Sequence, residues 1–576
     1  MVQSRYKKTR KHFLALLLIF AVASTAFRGD LFLISKNLDI FTSLYKELNI
    51  NYVDEVNSSG IIKTGIDAML NDLDPYTEYV PESDIEDYKL KYVSTQYGGI
   101  GASVMERNKG FFVSEAFAGF PAQKADIRAG DEFIQINGVS LKGKTNEEVS
   151  QLLKGPKNTA IKIFIKRPGT AKLLEKSLFR DEIIHPNVSY YGMLEGKIGY
   201  IRLDKFLENS GQEVKDALAD LQKQKAEGLI LDLRYNGGGI LQEAVKIVNL
   251  FVDKDVVVVT QKGRNKEKTI SYKTGAPSVA PGLPLAVLVN GRSASAAEIV
   301  AGSLQDLDRA VVIGQRSYGK GLVQQTFNLP YNSLVKVTVA KYYTPSGRCI
   351  QSLDYTHRNA DGAVEKVADS LITEYKTKGG RSVYDGSGIY PDIYVKTAKP
   401  NLITLTLASK YHIFDYATNY RNRIQAIANP KQFRLSDGEY EEFVKYLSGK
   451  DYNYNTATER ILNELKKEAE RENKLPEISA EFDALKSKVS HSKRNDLIQF
   501  KDEISRTLEN EIVSRYYFQK GRVENGFKYD EELNSALKVL GNKTTLASIL
   551  QGHGTFGSIG KPGADFAASA SLTDSE

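Results

Sequence analysis

Apolar positions first recur at helical spacing at Ile34, Leu38, Phe41, Leu44 and Leu48, which predicts an amphipathic helix packed through that stripe. A second helical run ends at Asp74-Pro75, because proline disfavours helical backbone in the residue before it. From about residue 95 to 170 the pattern turns to short strands broken by glycine. Gly98, Gly99, Ile100 and Gly101 make a loop that runs into a strand, and Asn137-Gly138 marks a hairpin turn. Thr145 and Glu148 form a capping box ahead of Val149, Leu152 and Leu153, a short amphipathic helix. From about 171 to 400 strand-like runs such as Gly199–Leu203, Gly228–Leu233 and Leu285–Val289 alternate with helices, which predicts an α/β region.

Beyond residue 400 the chain turns charged and helical. Ile461, Leu462, Leu465 and Ala469 share one face, and Leu497, Ile504, Leu508 and Ile512 share another. Packing is the default reading of this region. The stretch 552–576, rich in glycine, serine and alanine, is expected to be disordered.

With 576 residues and 41% hydrophobic content, the chain holds several packed domains. A formal net charge of +7 is small for that length, and no dense basic run follows the N-terminus, so nothing favours nucleic acid. The single cysteine, Cys349, excludes an internal disulfide and reads as a small, partly buried residue. The six histidines show no metal-ligand spacing, and no metal or cofactor is expected. At the N-terminus, Arg5, Lys7, Lys8, Arg10 and Lys11 precede the apolar run from Phe13 to Ala23. That run is short for a membrane span, which needs about 20 apolar residues, and reads as an export signal, cleaved or retained as an anchor.

The chemistry concentrates at two places. Leu285–Val289 leads through Asn290, Gly291, Arg292, Ser293, Ala294 and Ser295 into a helix from Ala296. A serine at a strand-to-helix junction sits where N–H groups and the helix dipole favour negative charge. A second segment, Gly314 to Gln324, offers Lys320 as a base. A third, Asp232-Leu-Arg-Tyr-Asn-Gly237-Gly238-Gly239, opens another helix with free N–H groups; phosphate is a rival ligand, but neither nucleotide-binding glycine pattern is completed.

These segments closely resemble the carboxyl-terminal processing (tail-specific) protease family. The resemblance lies in S-A-S-A-x-E-I at 293–299 and G-x-x-S-x-G-K-G at 314–321, with supporting matches at D-P-Y-T (74–77) and D-L-R-x-N-x-G-G (232–239). Ala297 stands where the family often has serine, a conservative departure. The resemblance implies Ser295 as nucleophile, Lys320 as general base and Gln324 as its helper. It implies an oxyanion hole from the N–H groups of Gly238 and Ala296, with the choice of glycine open by one position. The 95–170 region resembles a PDZ domain, in which Gly98, Gly99, Ile100 and Gly101 would hold a peptide's terminal carboxylate while the peptide adds a strand.

A lysine works as a base only when neutral, and at a pKa near 10.4 only about one in 2,500 is neutral at pH 7, so the site must lower it. Gln324, four residues after Lys320, can orient the amine without adding charge if that stretch is helical. Glu298 reads as structural or helix-start charge.

The expected architecture is a multi-domain α/β protein. It has a signal or anchor (1–26), a helical region (27–94), a PDZ domain (95–170), a crotonase/ClpP-like α/β protease core (171–400), a helical C-terminal domain (401–551) and a tail (552–576). The expected function is a serine endopeptidase of the periplasm or cell envelope that cleaves near the free C-termini of protein substrates. A second copy or an adaptor is left open as partner; in the resembling family the N-terminal helical region can serve dimerisation. The alternatives are a catalytically silent tail-binding protein and a crotonase-like thioester enzyme.

Overall fold

The structure, a computed structural model, describes residues 32–93, 96–264, 269–359, 363–397, 399–489 and 493–560. The basic and apolar stretch read as an export signal and the tail from 561 lie outside those residues. The chain divides into two compact units, Met1–Ser83 with Gln324–Thr338, and Asp84–Val323 with Val339–Glu576.

In the first unit, residues 32–51 form the expected helix. Its apolar stripe does not pack as expected: Ile34, Leu38, Phe41 and Leu44 are all exposed. The helix Ser58–Asn71 is capped by the Asn57 side chain, which accepts from the Gly60 N–H. The Asp74-Pro75 turn then does more than end a helix. Asp74 Oδ1 accepts the N–H groups of Tyr76 (2.8 Å) and Thr77 (2.9 Å), and Thr77 Oγ1 accepts the Thr338 N–H at 3.2 Å. This pins the strand Glu78–Val80 antiparallel to residues 334–336.

The second unit begins with a PDZ-like sheet. Ala102–Arg107, Gly110–Ala116, Glu132–Ile136, Ala160–Lys166 and Leu174–Phe179 lie side by side in that order, antiparallel throughout. The Asn137-Gly138 turn takes positive φ at both residues (50° and 82°), as a tight hairpin requires. The capping box forms, with Thr145 and Glu148 side chains each accepting the other's N–H at the start of Asn146–Leu153.

The α/β region is built on six strands in the order Val188–Met193, Ile198–Leu203, Gly228–Asp232, Leu285–Val289, Val311–Gly314 and Ile393–Tyr394; only the first pair is antiparallel. A parallel sheet must be covered on both faces, which is why these strands are continuous apolar runs. On one face Leu229, Leu231, Val287 and Val289 pack with Leu218, Ile247, Val300 and Leu304. On the other, Ile230, Ala286, Leu288 and Ile313 pack with Leu533, Ala536, Leu540 and Ile549.

Those last four belong to the helices Glu531–Leu540 and Lys543–Leu550. The end of the expected separate helical domain is thus the second cover of the core sheet. The remaining helices hold their own core around Tyr416, Phe443, Leu497, Ile504, Leu508 and Ile512. They also grip the PDZ-like region: Arg107 pairs with both carboxylate oxygens of Asp415 (2.6 and 2.7 Å). Of the other predicted face, Leu462 and Ala469 are buried but Ile461 and Leu465 are exposed. Residues 552–560 are packed rather than disordered, because Ile559 is buried and its N–H donates to the Ser382 carbonyl at 2.7 Å.

Candidate active site

The strand Leu285–Val289 is wholly buried, and so is every residue of the helix Ala296–Asp306 that follows. The turn between them separates the two serines of the motif by their environments. Ser293 is fully buried and occupied, its Oγ accepting the Asn290 N–H (2.9 Å) and donating to the Leu233 carbonyl (2.8 Å). Ser295 is half-buried and adopts φ 56°, ψ −115°, a conformation that an L-residue rarely takes and that the surrounding contacts must enforce.

Glu298, one turn into the helix, has no solvent exposure. Its Oε2 accepts the N–H of Ser295 at 2.8 Å and the N–H of Lys320 at 2.9 Å. Its Oε1 accepts the Ser317 hydroxyl (2.5 Å) and the Gly319 N–H (2.7 Å). Burial pushes this carboxyl up from its ordinary range, against the pull of those four donors. One carboxylate therefore joins the serine turn to the lysine loop. Ser317 is fixed in turn by Ile389, whose N–H donates to its Oγ at 2.6 Å.

The opposite side of both peptides is held by Tyr342, which is 1% exposed. Its hydroxyl donates to the Lys320 carbonyl at 2.7 Å and lies 3.1 Å from the Ser295 carbonyl. Lys320 itself is half-buried.

Gln324 does not follow Lys320 around a helix. Leu322–Asn328 is a strand, so the spacing of four no longer stacks the two side chains. Within its own unit, Gln324 Nε2 donates to Thr338 Oγ1 at 3.1 Å.

The triple-glycine loop approaches the serine closely. Gly238 takes φ 92°, and a Cβ there would stand 2.6 Å from the Ala294 carbonyl, 2.7 Å from Ser295 Cβ and 2.8 Å from the Ala296 N. Only glycine fits. The Gly238 N–H, expected to face an oxyanion, instead donates to Asn236 Oδ1 at 2.9 Å, because the buried Asn236 folds back over the loop. Asn236 also gives its Nδ2 to the Leu203 carbonyl (2.7 Å) and its carbonyl to the Ala294 N–H (2.9 Å), tying this loop to the serine turn. Ala296 opens its helix, so its N–H is one of the four that helix geometry leaves without an internal acceptor.

In the PDZ-like region, a cavity of about 440 Å³ lies beside the strand Ala102–Arg107 and the helix Asn146–Leu153, lined in part by Gly99, Ile100, Gly101, Val104, Val149 and Leu153. Gly98 is not among its lining. It and Gly99 sit in a strand paired with Asp181–Ile184, and the Gly98 carbonyl accepts the Gly155 N–H at 3.1 Å. Ile100 and Gly101 therefore remain as the loop residues that open onto the groove without that pairing.

Two contributors had no local signal. Glu298 sits inside the serine motif, but nothing in its spacing tells of the lysine loop. Tyr342 belongs to no motif of the serine or lysine segments, and only the fold brings its hydroxyl to both. Cys349 is half-buried, and burial pushes its thiol up, away from reactivity.

Comparison with known proteins finds three family matches along the chain. Peptidase family S41 matches residues 197–356, the PDZ domain family matches 90–166, and the family described as "Probable PDZ-protease, C-terminal helical domain" matches 403–540. A probable CtpA-like serine protease of Staphylococcus aureus (strain MRSA252) is 31% identical over 469 residues, 80% of this chain and 81% of that protein. The carboxy-terminal-processing protease of Bartonella bacilliformis is 35% identical over 355 residues, 61% of this chain and 80% of its own. Among solved structures, the photosystem II D1 C-terminal processing protease is similar at 26% identity and a TM-score of 0.32, covering 62% of this chain and 92% of that one. The family match replaces the reading as a crotonase-like thioester enzyme. The chain belongs to peptidase family S41, as a serine protease of the carboxy-terminal-processing type that carries a PDZ domain.

Proposed function

We propose that Ser295 and Lys320 form the catalytic dyad of this peptidase. The observation that carries the reading is the Glu298 carboxylate, one oxygen of which accepts the N–H of both residues. Ser295 Oγ attacks the scissile carbonyl carbon while its proton passes to neutral Lys320 Nζ. The tetrahedral oxyanion is met by the Ala296 N–H and by a donor of the glycine loop, which substrate binding draws away from Asn236. The C–N bond then breaks and Lys320 returns the proton to the leaving amine. Water, deprotonated by Lys320, hydrolyses the acyl-enzyme and restores Ser295.

The PDZ groove captures the free C-terminus of a protein substrate, its carboxylate meeting the N–H groups of the Ile100–Gly101 loop and its last side chain entering the apolar cavity. The N-terminal basic and apolar segment directs the enzyme to the periplasm or cell envelope, cleaved or kept as an inner-membrane anchor; cell fractionation checks this. The exposed apolar stripe at Ile34, Leu38, Phe41 and Leu44 supports pairing with a second copy, which light scattering reads as a doubled mass.

The test uses the full chain and a Ser295→Ala twin on a poorly folded protein with an apolar tail, ending in a carboxylate or an amide. The expected result is cleavage by the parent alone, faster with the carboxylate. Equal cleavage by the twin would sink the dyad; indifference to the amide would retire the carboxylate capture.

A further inference from the structure

The helical region after residue 400 meets the catalytic core at a charged point beside the oxyanion loop. Arg234 immediately precedes Tyr235, Asn236, Gly237 and Gly238, and its side chain is 12% exposed. From its own strand end it is held by Asp232, whose Oδ2 lies 2.6 Å from Nη2. From the other side come residues of the C-terminal helices: Asp530 accepts from Nη1 at 2.8 Å and Nη2 at 2.6 Å, and Glu532 accepts from Nη1 at 3.1 Å. A two-oxygen grip on a guanidinium fixes direction as well as distance.

Asp530 has a second partner. Its Oδ1 caps the helix Glu531–Leu540, accepting the Leu533 N–H at 2.9 Å. One carboxylate thus anchors that helix and Arg234 together. The loop beyond Arg234 is demanding: Tyr235 takes φ 62°, and its N–H must reach Asn290 Oδ1 at 3.0 Å. From there Asn236 and Gly238 lie against the serine turn, as described above. Turning Arg234 would therefore be passed within a few bonds to the atoms beside Ser295.

We propose that Asp530 is a positioning residue for the oxyanion loop, acting through Arg234, so that the C-terminal helical region completes the active site rather than merely covering the sheet. The inference rests on the serine–lysine reading above.

Asp530→Asn is the variant of choice, since asparagine caps a helix as well as aspartate does but gives up the charged two-oxygen grip. Asp530→Glu tests whether a carboxylate alone restores function, and Asp437→Asn, which removes the exposed ion pair with Lys501, serves as the control. Three quantities are measured on the full chain: kcat and KM on a tail-bearing peptide, the affinity of a peptide boronate, and the melting temperature. The boronate adds to the serine and carries its negative charge where the oxyanion would stand.

The expected result for Asp530→Asn is a kcat lower by about 10-fold or more, with boronate affinity falling in parallel and KM within about 2-fold. Asp530→Glu should recover part of the kcat, and the control should match the parent. Unchanged kcat and boronate affinity in Asp530→Asn would overturn the inference while leaving the dyad intact. So would a loss of activity that follows only the fraction unfolded, with the boronate bound as tightly by what remains folded. If the parent's hydrolysis survives Ser295→Ala, the underlying reading falls and this one with it.

Discussion

The hydroxyl of the buried Tyr342 donates to the carbonyl oxygen of Lys320 at 2.7 Å. The Tyr342 hydroxyl oxygen also lies 3.1 Å from the Ser295 carbonyl oxygen, so one side chain spans the serine turn and the lysine loop. Tyr342→Phe keeps the ring and deletes only that link. Its stability should fall by about 1 kcal/mol, and kcat by about 10- to 100-fold as the lysine loop shifts, with KM little changed. Steady-state kinetics beside a denaturation curve separate the two effects.

Glu298→Gln presents an amide N–H₂ where the carboxylate now accepts four hydrogens. Buried N–H groups at Ser295, Gly319 or Lys320 would lose their acceptor. The variant should be destabilised by about 2–3 kcal/mol and should label with a fluorophosphonate far more slowly than the parent. Parental labelling would contradict the joint held by this carboxylate.

Gly238→Ala adds a methyl group 2.7 Å from Ser295 Cβ at a φ of 92°. Either the loop or the serine turn must move. Hydrolysis should fall by about 100-fold or more, whereas a Gly275→Ala control, where a Cβ meets open space, should stay near the parent.

The PDZ-like region carries an acid-sensitive contact. Partial burial pushes the Asp126 carboxyl up, but hydrogen bonds from Arg167 and Arg128 outweigh it and bring it down to about 2 from 3.8. A depressed folded value means that the stabilisation is present above the unfolded pKa and is lost as pH falls from about 4 towards 2. Asp126→Asn should melt below the parent at pH 5, and the gap should close near pH 2. A constant gap across that range would show that the ion pairs contribute nothing.

Much of the site was legible because its chemistry sits in short motifs. The junction before Ala296, the Gly238 position and the Thr145–Glu148 cap are all local patterns, and local backbone geometry follows from them. The condition on Gln324, a helical stretch after Lys320, is not met because Leu322–Asn328 is a strand, and spacing alone does not tell a strand from a helix over five residues. Gly98 was misplaced for a similar reason: a glycine-rich run looks like a loop until the strand Asp181–Ile184 pairs with it. The roles of Tyr342 and Asp530 depend on contacts between residues far apart in the chain, which no window of sequence contains. Ser293 and Ser295 are the same residue type two positions apart; the motif singles out Ser295, and the structure separates them by burial, hydrogen bonding and backbone conformation.

The double-sided cover of the core sheet also bears on the order in which this enzyme comes into being. A polypeptide made from its N-terminus presents Ile230 and Leu288 long before Leu533 and Ile549 exist to shield them. The sheet that carries the serine turn is covered on both faces only when nearly all of the chain has been made.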